Sequence, residues 1–252
     1  MLKTKGIPLF YRCQGTGEAV LCLHGNRDSS LVFRELAQAM QPHYQVLCAD
    51  LRGHGQSEYS GPPFTLEDMV DDIVRLLDEQ GLKQVSIVGH SLGSTLALLL
   101  SARDPGRVKK LVLMGAAATF RVPFKRPGHG EEITPDTVKQ TNAAAVPYFF
   151  TADHEEVQHL ILEGWSRLPA ATHRLMIQIK HPDLRPILQD IRQRTLIITG
   201  QEDRITPLPK ALELNRYMPD SRMLAVPGTG HFMFLEESET VASAILTFLK
   251  EE

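Results

Sequence analysis

The sequence predicts an α/β domain with a mostly parallel central sheet flanked by helices. Three observations carry that expectation. Short apolar segments alternate with longer helical patterns along most of the 252 residues, the order that builds a parallel sheet with right-handed crossovers. Most of those short segments are continuous apolar runs, as strands covered on both faces must be. Residues 89–93, Gly-His-Ser-Leu-Gly, sit between one such run and a helical pattern, which demands a very tight strand-to-helix turn.

Taken in order, strand patterns occupy residues 20–23, 46–49, 85–88, 111–114, 196–198 and 223–226. A helix is expected over about 31–40. A second starts after Thr65, a capping residue type, and stops before Gly81. It keeps Met69, Val70, Ile73, Leu76 and Leu77 on one face. Between 117 and 190 the alternation breaks and helical patterns take over. There Pro135 follows Thr134 as a first-turn proline, and Val157, Leu160, Ile161, Gly164, Trp165 and Leu168 share a face. A further helix is expected over about 170–180, and a last one over 238–249. The expected organisation is a core of residues 1–116 and 191–252 with a helical lid, 117–190, inserted between the sixth and seventh strands.

The candidate chemistry follows from where polar residues fall. Ser91 is the centre of the Gly-x-Ser-x-Gly turn, expected to stand exposed at the top of the sheet and at the N-terminus of a helix. A serine hydroxyl is a weak nucleophile and needs a base and an acid. Asp203 follows the strand pattern at 196–198, and His231 follows the one at 223–226. Each of the three lies just past the C-terminal end of a strand, the edge where open α/β sheets place their sites. Glu202 and Asp220 compete for the acid, and nine other histidines compete for the base. Only His231 lies in a Gly-rich turn between the last strand and the C-terminal helix.

On these residues the chain resembles the α/β-hydrolase superfamily over nearly its full length. Leu23-His24-Gly25-Asn26 and Asp50-Leu51-Arg52-Gly53-His54-Gly55-Gln56-Ser57 add to the likeness. The resemblance implies the α/β-hydrolase fold, a Ser91, Asp203, His231 triad, and an oxyanion hole made by the backbone N–H groups of Asn26 and Leu92. It implies acyl transfer, with His231 taking the Ser91 proton and Asp203 orienting the imidazole. His24 and His90 are expected to support the backbone, and Asp50 and Arg52 to hold their loop by an ion pair. A serine at the elbow argues against haloalkane dehalogenases and epoxide hydrolases, which carry aspartate there.

The expectation is a carboxylic-ester hydrolase acting on short to medium acyl groups through an acyl-enzyme, with no cofactor and no metal. Hydrolysis of a methyl ester or thioester held on acyl carrier protein, a lactonase and a C–C bond hydrolase are the alternatives. The short segment Asn26-Arg27-Asp28-Ser29-Ser30, in place of a longer Gly-rich one, lowers the last. A non-catalytic ligand receptor is the reading from another class. Phe149, Phe150, Trp165 and Met176 are candidate substrate contacts. Arg121, Lys125 and Arg126 could meet an anionic substrate or acyl carrier protein, or form a solvated loop.

Composition narrows the field. The chain is 42% hydrophobic and 23% charged, with a net charge of −3, which gives no reason to expect nucleic acid or a membrane surface. No apolar run is long enough for a transmembrane helix, and no apolar leader is visible at the N-terminus. Cys13, Cys22 and Cys48 make no disulfide framework, so a reducing cytoplasm is the default expectation.

Overall fold

The computed structural model describes residues 6–121, 132–151 and 154–251, apart from the side chains of Ile177 and Gln178. The apolar runs become six strands, numbered after a preceding edge strand, β1 (Tyr11–Gln14): β2 (Ala19–Leu23), β3 (Gln45–Ala49), β4 (Val85–His90), β5 (Val108–Met114), β6 (Arg194–Gly200) and β7 (Ser221–Val226). They form one sheet in the order β1-β3-β2-β4-β5-β6-β7. All pairings are parallel except that of β1 with β3.

The continuous apolar runs are explained by two separate cores. Successive strand side chains point to opposite faces. Leu21, Leu47, Ile87, Leu111 and Ile197 feed one core, while Val20, Cys22, Val46, Val88, Val112 and Ile198 feed the other. The first core is closed by α2 (Leu66–Glu79), α3 (Leu92–Arg103) and α8 (Leu208–Tyr217). The second is closed by α1 (Arg34–Met40) and α10 (Ser238–Lys250). Cys22 and Cys48 are register partners on neighbouring strands, buried and free, and behave as small hydrophobes.

Local signals set the helix ends. Asp68 N–H donates to Thr65 Oγ1 at 3.2 Å and Thr65 N–H donates to Asp68 Oδ2 at 2.8 Å, a reciprocal cap for α2. Gly81 follows at φ +66°, where the missing Cβ removes the steric cost. Four helices occupy the stretch between β5 and β6: α4 (Pro135–Phe149), α5 (Glu155–Ser166), α6 (Ala170–Gln178) and α7 (Arg185–Leu188). The insertion therefore follows the fifth strand and not the expected sixth, because five strands precede it. A short α9 (Met233–Glu236) leads into α10. Among the described residues no helix is long and apolar enough to cross a membrane.

Candidate active site

Ser91 connects β4 to α3 with φ 51° and ψ −109°, a conformation that L residues avoid. The flanking glycines are required by space. A Cβ on Gly93 would lie 1.9 Å from the Leu23 carbonyl oxygen, and one on Gly89 would lie 2.7 Å from the Gly93 backbone. Ser91 N–H donates to the Met114 carbonyl at 2.8 Å, and Ser94 Oγ donates to the Gly89 carbonyl at 2.7 Å, which pins the turn. Ser91 is 8% exposed, contrary to the expected exposed position. The helices between β5 and β6 place Phe149 against the neighbouring His231 ring and close over this edge.

Asp203 lies just beyond β6 in a cradle of donors. Its Oδ1 accepts from Ile205 N–H at 2.8 Å and Thr206 N–H at 2.9 Å. Its Oδ2 accepts from Thr206 Oγ1 at 2.6 Å and faces His231 Nδ1 at 2.7 Å. Burial pushes this carboxyl up, but the His231 ring and the Thr206 bonds outweigh it and hold it below the usual carboxylate range. The short Nδ1 contact to an ionised carboxylate fixes the Nδ1–H tautomer, which leaves Nε2 as a base.

His231 is fully buried, and its N–H donates to the Phe149 carbonyl at 2.7 Å. Phe149 also stands edge-on to its ring, with centroids 5.2 Å apart. A Cβ on Gly115 would come 2.8 Å from His231 Cε1, so only glycine clears the ring there. Gly115 directly follows Met114, the acceptor of the Ser91 N–H, so serine and imidazole share one corner of the fold. His231 Nε2 is buried with no hydrogen-bond partner among the described residues. The Ser91 hydroxyl is therefore not hydrogen-bonded to it.

Leu92 is the first residue of α3, so its N–H belongs to the first turn and has no intrahelical acceptor. Asn26 follows Gly25 after β2, and its side-chain Oδ1 is buried without a partner. His24 and His90 both support backbone. Leu51 N–H donates to His24 Nε2 at 2.9 Å while Nδ1 meets the Gly25 carbonyl at 2.7 Å. His90 Nε2 meets the His231 carbonyl at 3.0 Å. Burial holds both rings below the ordinary histidine range, hence neutral.

Arg52 pairs with Asp72 on α2 at 2.6 Å and not with Asp50. Asp50 instead accepts from Ser30 N–H at 2.6 Å and Gln56 N–H at 2.8 Å, tying two loops together. Phe149, Phe150 and Trp165 meet around Phe232 in one aromatic group. Met176 belongs to the other core, the one containing Leu92. Arg121 is exposed, and Lys125 and Arg126 lie outside the described residues.

Two neighbours of the site carried no sequence reading of their own. Arg27 adopts φ 74°, bonds Asn142 Oδ1 at 2.6 Å and lies 3.8 Å over the Trp165 ring. Asp28 Oδ1 accepts the Trp165 indole N–H at 2.7 Å. Two adjacent charges after a buried strand were the available signal; their partners on α4 and α5, more than a hundred residues away, were not. Beside them a cavity of about 840 Å³ opens between α5, the start of α6 and the loops after β2 and β3. Arg27, Tyr59, Leu160 and Thr172 are among its walls, whereas Ser91 and His231 do not line it. Among the described residues no group of three or more His, Cys, Asp or Glu could hold a metal ion.

This arrangement of sheet, elbow and buried Asp–His pair is that of a hydrolase domain, and the comparisons agree. Residues 18–160 match the family model of the alpha/beta hydrolase fold, and residues 174–252 match one described as TAP-like protein. The chain belongs to the alpha/beta hydrolase family. It is 30% identical over 253 residues to 2-hydroxymuconate semialdehyde hydrolase from Pseudomonas putida, covering 94% of this chain and 89% of that one. The enol-lactonase from Burkholderia xenovorans LB400 has the same fold, with TM-score 0.89, 23% identity and 96% of each chain covered. An esterase from Exiguobacterium antarcticum superposes with TM-score 0.81 at 25% identity, again covering 96% of each chain.

Proposed function

We propose that this protein is a serine hydrolase of carboxylic esters with short to medium acyl chains. The observation that carries the reading is the buried Asp203–His231 pair, whose unpartnered Nε2 shares a corner with the strained Ser91 turn. In the proposed reaction Ser91 Oγ attacks the ester carbonyl as His231 Nε2 takes the hydroxyl proton. The oxyanion accepts hydrogen bonds from the Asn26 and Leu92 N–H groups, each donor contributing about 2.7–4 kcal/mol to the transition state. The C–O bond to the alcohol breaks, and His231 returns the proton to the leaving oxygen. Water, deprotonated by His231, then attacks the acyl-enzyme, releasing the acid and restoring Ser91. Asp203 keeps the imidazole in the productive tautomer throughout. Helices α4 to α7 serve as the lid of this site.

A second reading has one observation in its favour: the relative at 30% identity is named for hydrolysing 2-hydroxymuconate semialdehyde, a C–C bond substrate. Initial rates on p-nitrophenyl esters from acetate to decanoate, for wild type and Ser91→Ala, test the first reading. Turnover that Ser91→Ala abolishes is the expected result. A wild type inert across the panel yet active on 2-hydroxymuconate semialdehyde would replace it with the second.

A further inference from the structure

We propose that Asp28 and Trp165 are positioning residues that make the oxyanion turn depend on docking of α5; the inference rests on the serine-hydrolase reading above. The turn after β2 reaches the helical insertion through two consecutive residues. Arg27 Nη1 donates to Asn142 Oδ1 on α4 at 2.6 Å, and its guanidinium stacks 3.8 Å over the Trp165 ring on α5. Asp28 Oδ1 accepts the Trp165 indole N–H at 2.7 Å. All four side chains are buried. The residue immediately before them is Asn26, the candidate oxyanion donor.

The backbone gives this contact leverage. Arg27 and Ser91 are the two non-glycine residues with positive φ among the described residues. An L side chain held there costs on the order of 1–3 kcal/mol and persists only where its surroundings enforce it. At Arg27 the enforcing groups are on the insertion. Asp28 also works inward: a Cβ on Gly25 would come 2.7 Å from its Oδ2, so the carboxylate packs on the turn itself. The same Oδ2 lies 3.8 Å from His90 Nδ1, and His90 Nε2 bonds the His231 carbonyl at 3.0 Å. One side chain thus touches α5, the oxyanion turn and the residue preceding the nucleophile. When Trp165 leaves Asp28, the turn loses its brace and the Asn26 N–H loses its aim.

The test is a double-mutant cycle read by the rate at which a fluorophosphonate probe labels Ser91, a reaction that uses nucleophile and oxyanion hole whatever the natural substrate. Trp165→Phe keeps an aromatic ring facing Arg27 and removes the indole N–H together with part of the buried bicycle, so thermal unfolding of every variant is measured beside its labelling rate. Its labelling rate and its kcat on p-nitrophenyl butyrate are expected to fall about tenfold, with KM changed by under about threefold. Asp28→Ala should lose a similar factor, and the double variant should be no slower than the slower single, because both break one bond. Asp28→Asn, which still accepts from the indole, should keep the rate within about threefold of wild type. Single losses that multiply in the double variant overturn the proposal, as does Trp165→Phe labelling at the wild-type rate. If Asp28→Ala does not fold, Trp165→Phe and Asp28→Asn alone decide it. A wild type that fails to label sinks the serine-hydrolase reading and this inference together, whereas a labelling wild type with multiplying losses sinks only the inference.

Discussion

Replacing Asp203 by asparagine separates the role of its charge from that of its shape. Oδ1 is held by two backbone donors, Ile205 N–H and Thr206 N–H, neither of which can turn into an acceptor. An asparagine at this position must keep its carbonyl oxygen there. Its NH2 group then replaces Oδ2 and faces His231 Nδ1, now 2.7 Å from the carboxylate. Two N–H groups cannot point at each other, so the imidazole shifts its proton to Nε2 and can no longer take one from Ser91. The same substitution in the serine-protease triad lowers kcat about 10⁴-fold, equivalent to about 5.4 kcal/mol of barrier. Folding should suffer far less, because the side chain is isosteric and one charge-assisted hydrogen bond is lost, about 1.5–3 kcal/mol. The assay is kcat/KM on p-nitrophenyl butyrate beside thermal unfolding of both proteins. A loss under tenfold in a folded variant would refute the assignment of Asp203 as the orienting acid.

Two further outcomes follow from other parts of the structure. Gly93→Ala would set its Cβ 1.9 Å from a backbone oxygen of β2, which no rotamer can relieve. It should destabilise by at least the upper end of the roughly 1–3 kcal/mol typical of overpacking, measured by urea unfolding; a variant of wild-type stability would mean that the elbow is less tightly packed than described. Acid stability offers a third check. Burial pushes His54 down to about 4 from its ordinary 6.5. The unfolded chain therefore binds a proton that the fold refuses, and stability falls as pH drops from 6.5 towards 4, by about 2 kcal/mol at pH 5 and about 3 at pH 4. His54→Asn, whose amide can still donate to the Arg52 carbonyl, should remove that share of the slope in urea titrations between pH 7 and 5. Equal slopes in the two proteins would show that His54 does not carry it.

What the sequence made legible and what it hid divide along a physical line. Strands β2 to β6 and the capped helix α2 announce themselves because buried parallel strands and helix ends leave local signatures, and the half-buried edge strand β7 still carries the apolar run 223–226. β1 did not: Tyr11-Arg12-Cys13-Gln14 is an edge strand paired only through β3, with its middle residues exposed, so no apolar run was needed. Ser91, Asp203 and His231 were legible as candidates because each sits where a strand ends, a position that local pattern defines, and the fold brings Asp203 and His231 to 2.7 Å. The Arg52–Asp72 pair and the contacts of Arg27 and Asp28 with Asn142 and Trp165 depend on which distant elements the fold brings together. Nothing within a few residues of either partner encodes that.

The placement of the backbone strain argues for function independently of any motif. A buried polar atom without a partner costs about 1–3 kcal/mol, and an L residue at positive φ costs a similar amount. Here Ser91 and Arg27 are the two non-glycine residues at positive φ among the described residues, with the buried, unbonded Asn26 Oδ1 and His231 Nε2 close by; other buried polar atoms without a hydrogen bond, such as Ser30 Oγ and Gln193 Oε1, lie elsewhere. Both positive φ values fall on the turns that follow β2 and β4, next to the His231 imidazole. A domain is typically stable by only about 5–15 kcal/mol, so costs of this size gathered at one place weigh heavily against it. Beside the Asp203–His231 pair, the two strained turns support the reading of a site shaped for atoms that the folded chain does not supply: an attacking hydroxyl's proton for Nε2, and a substrate against the turns.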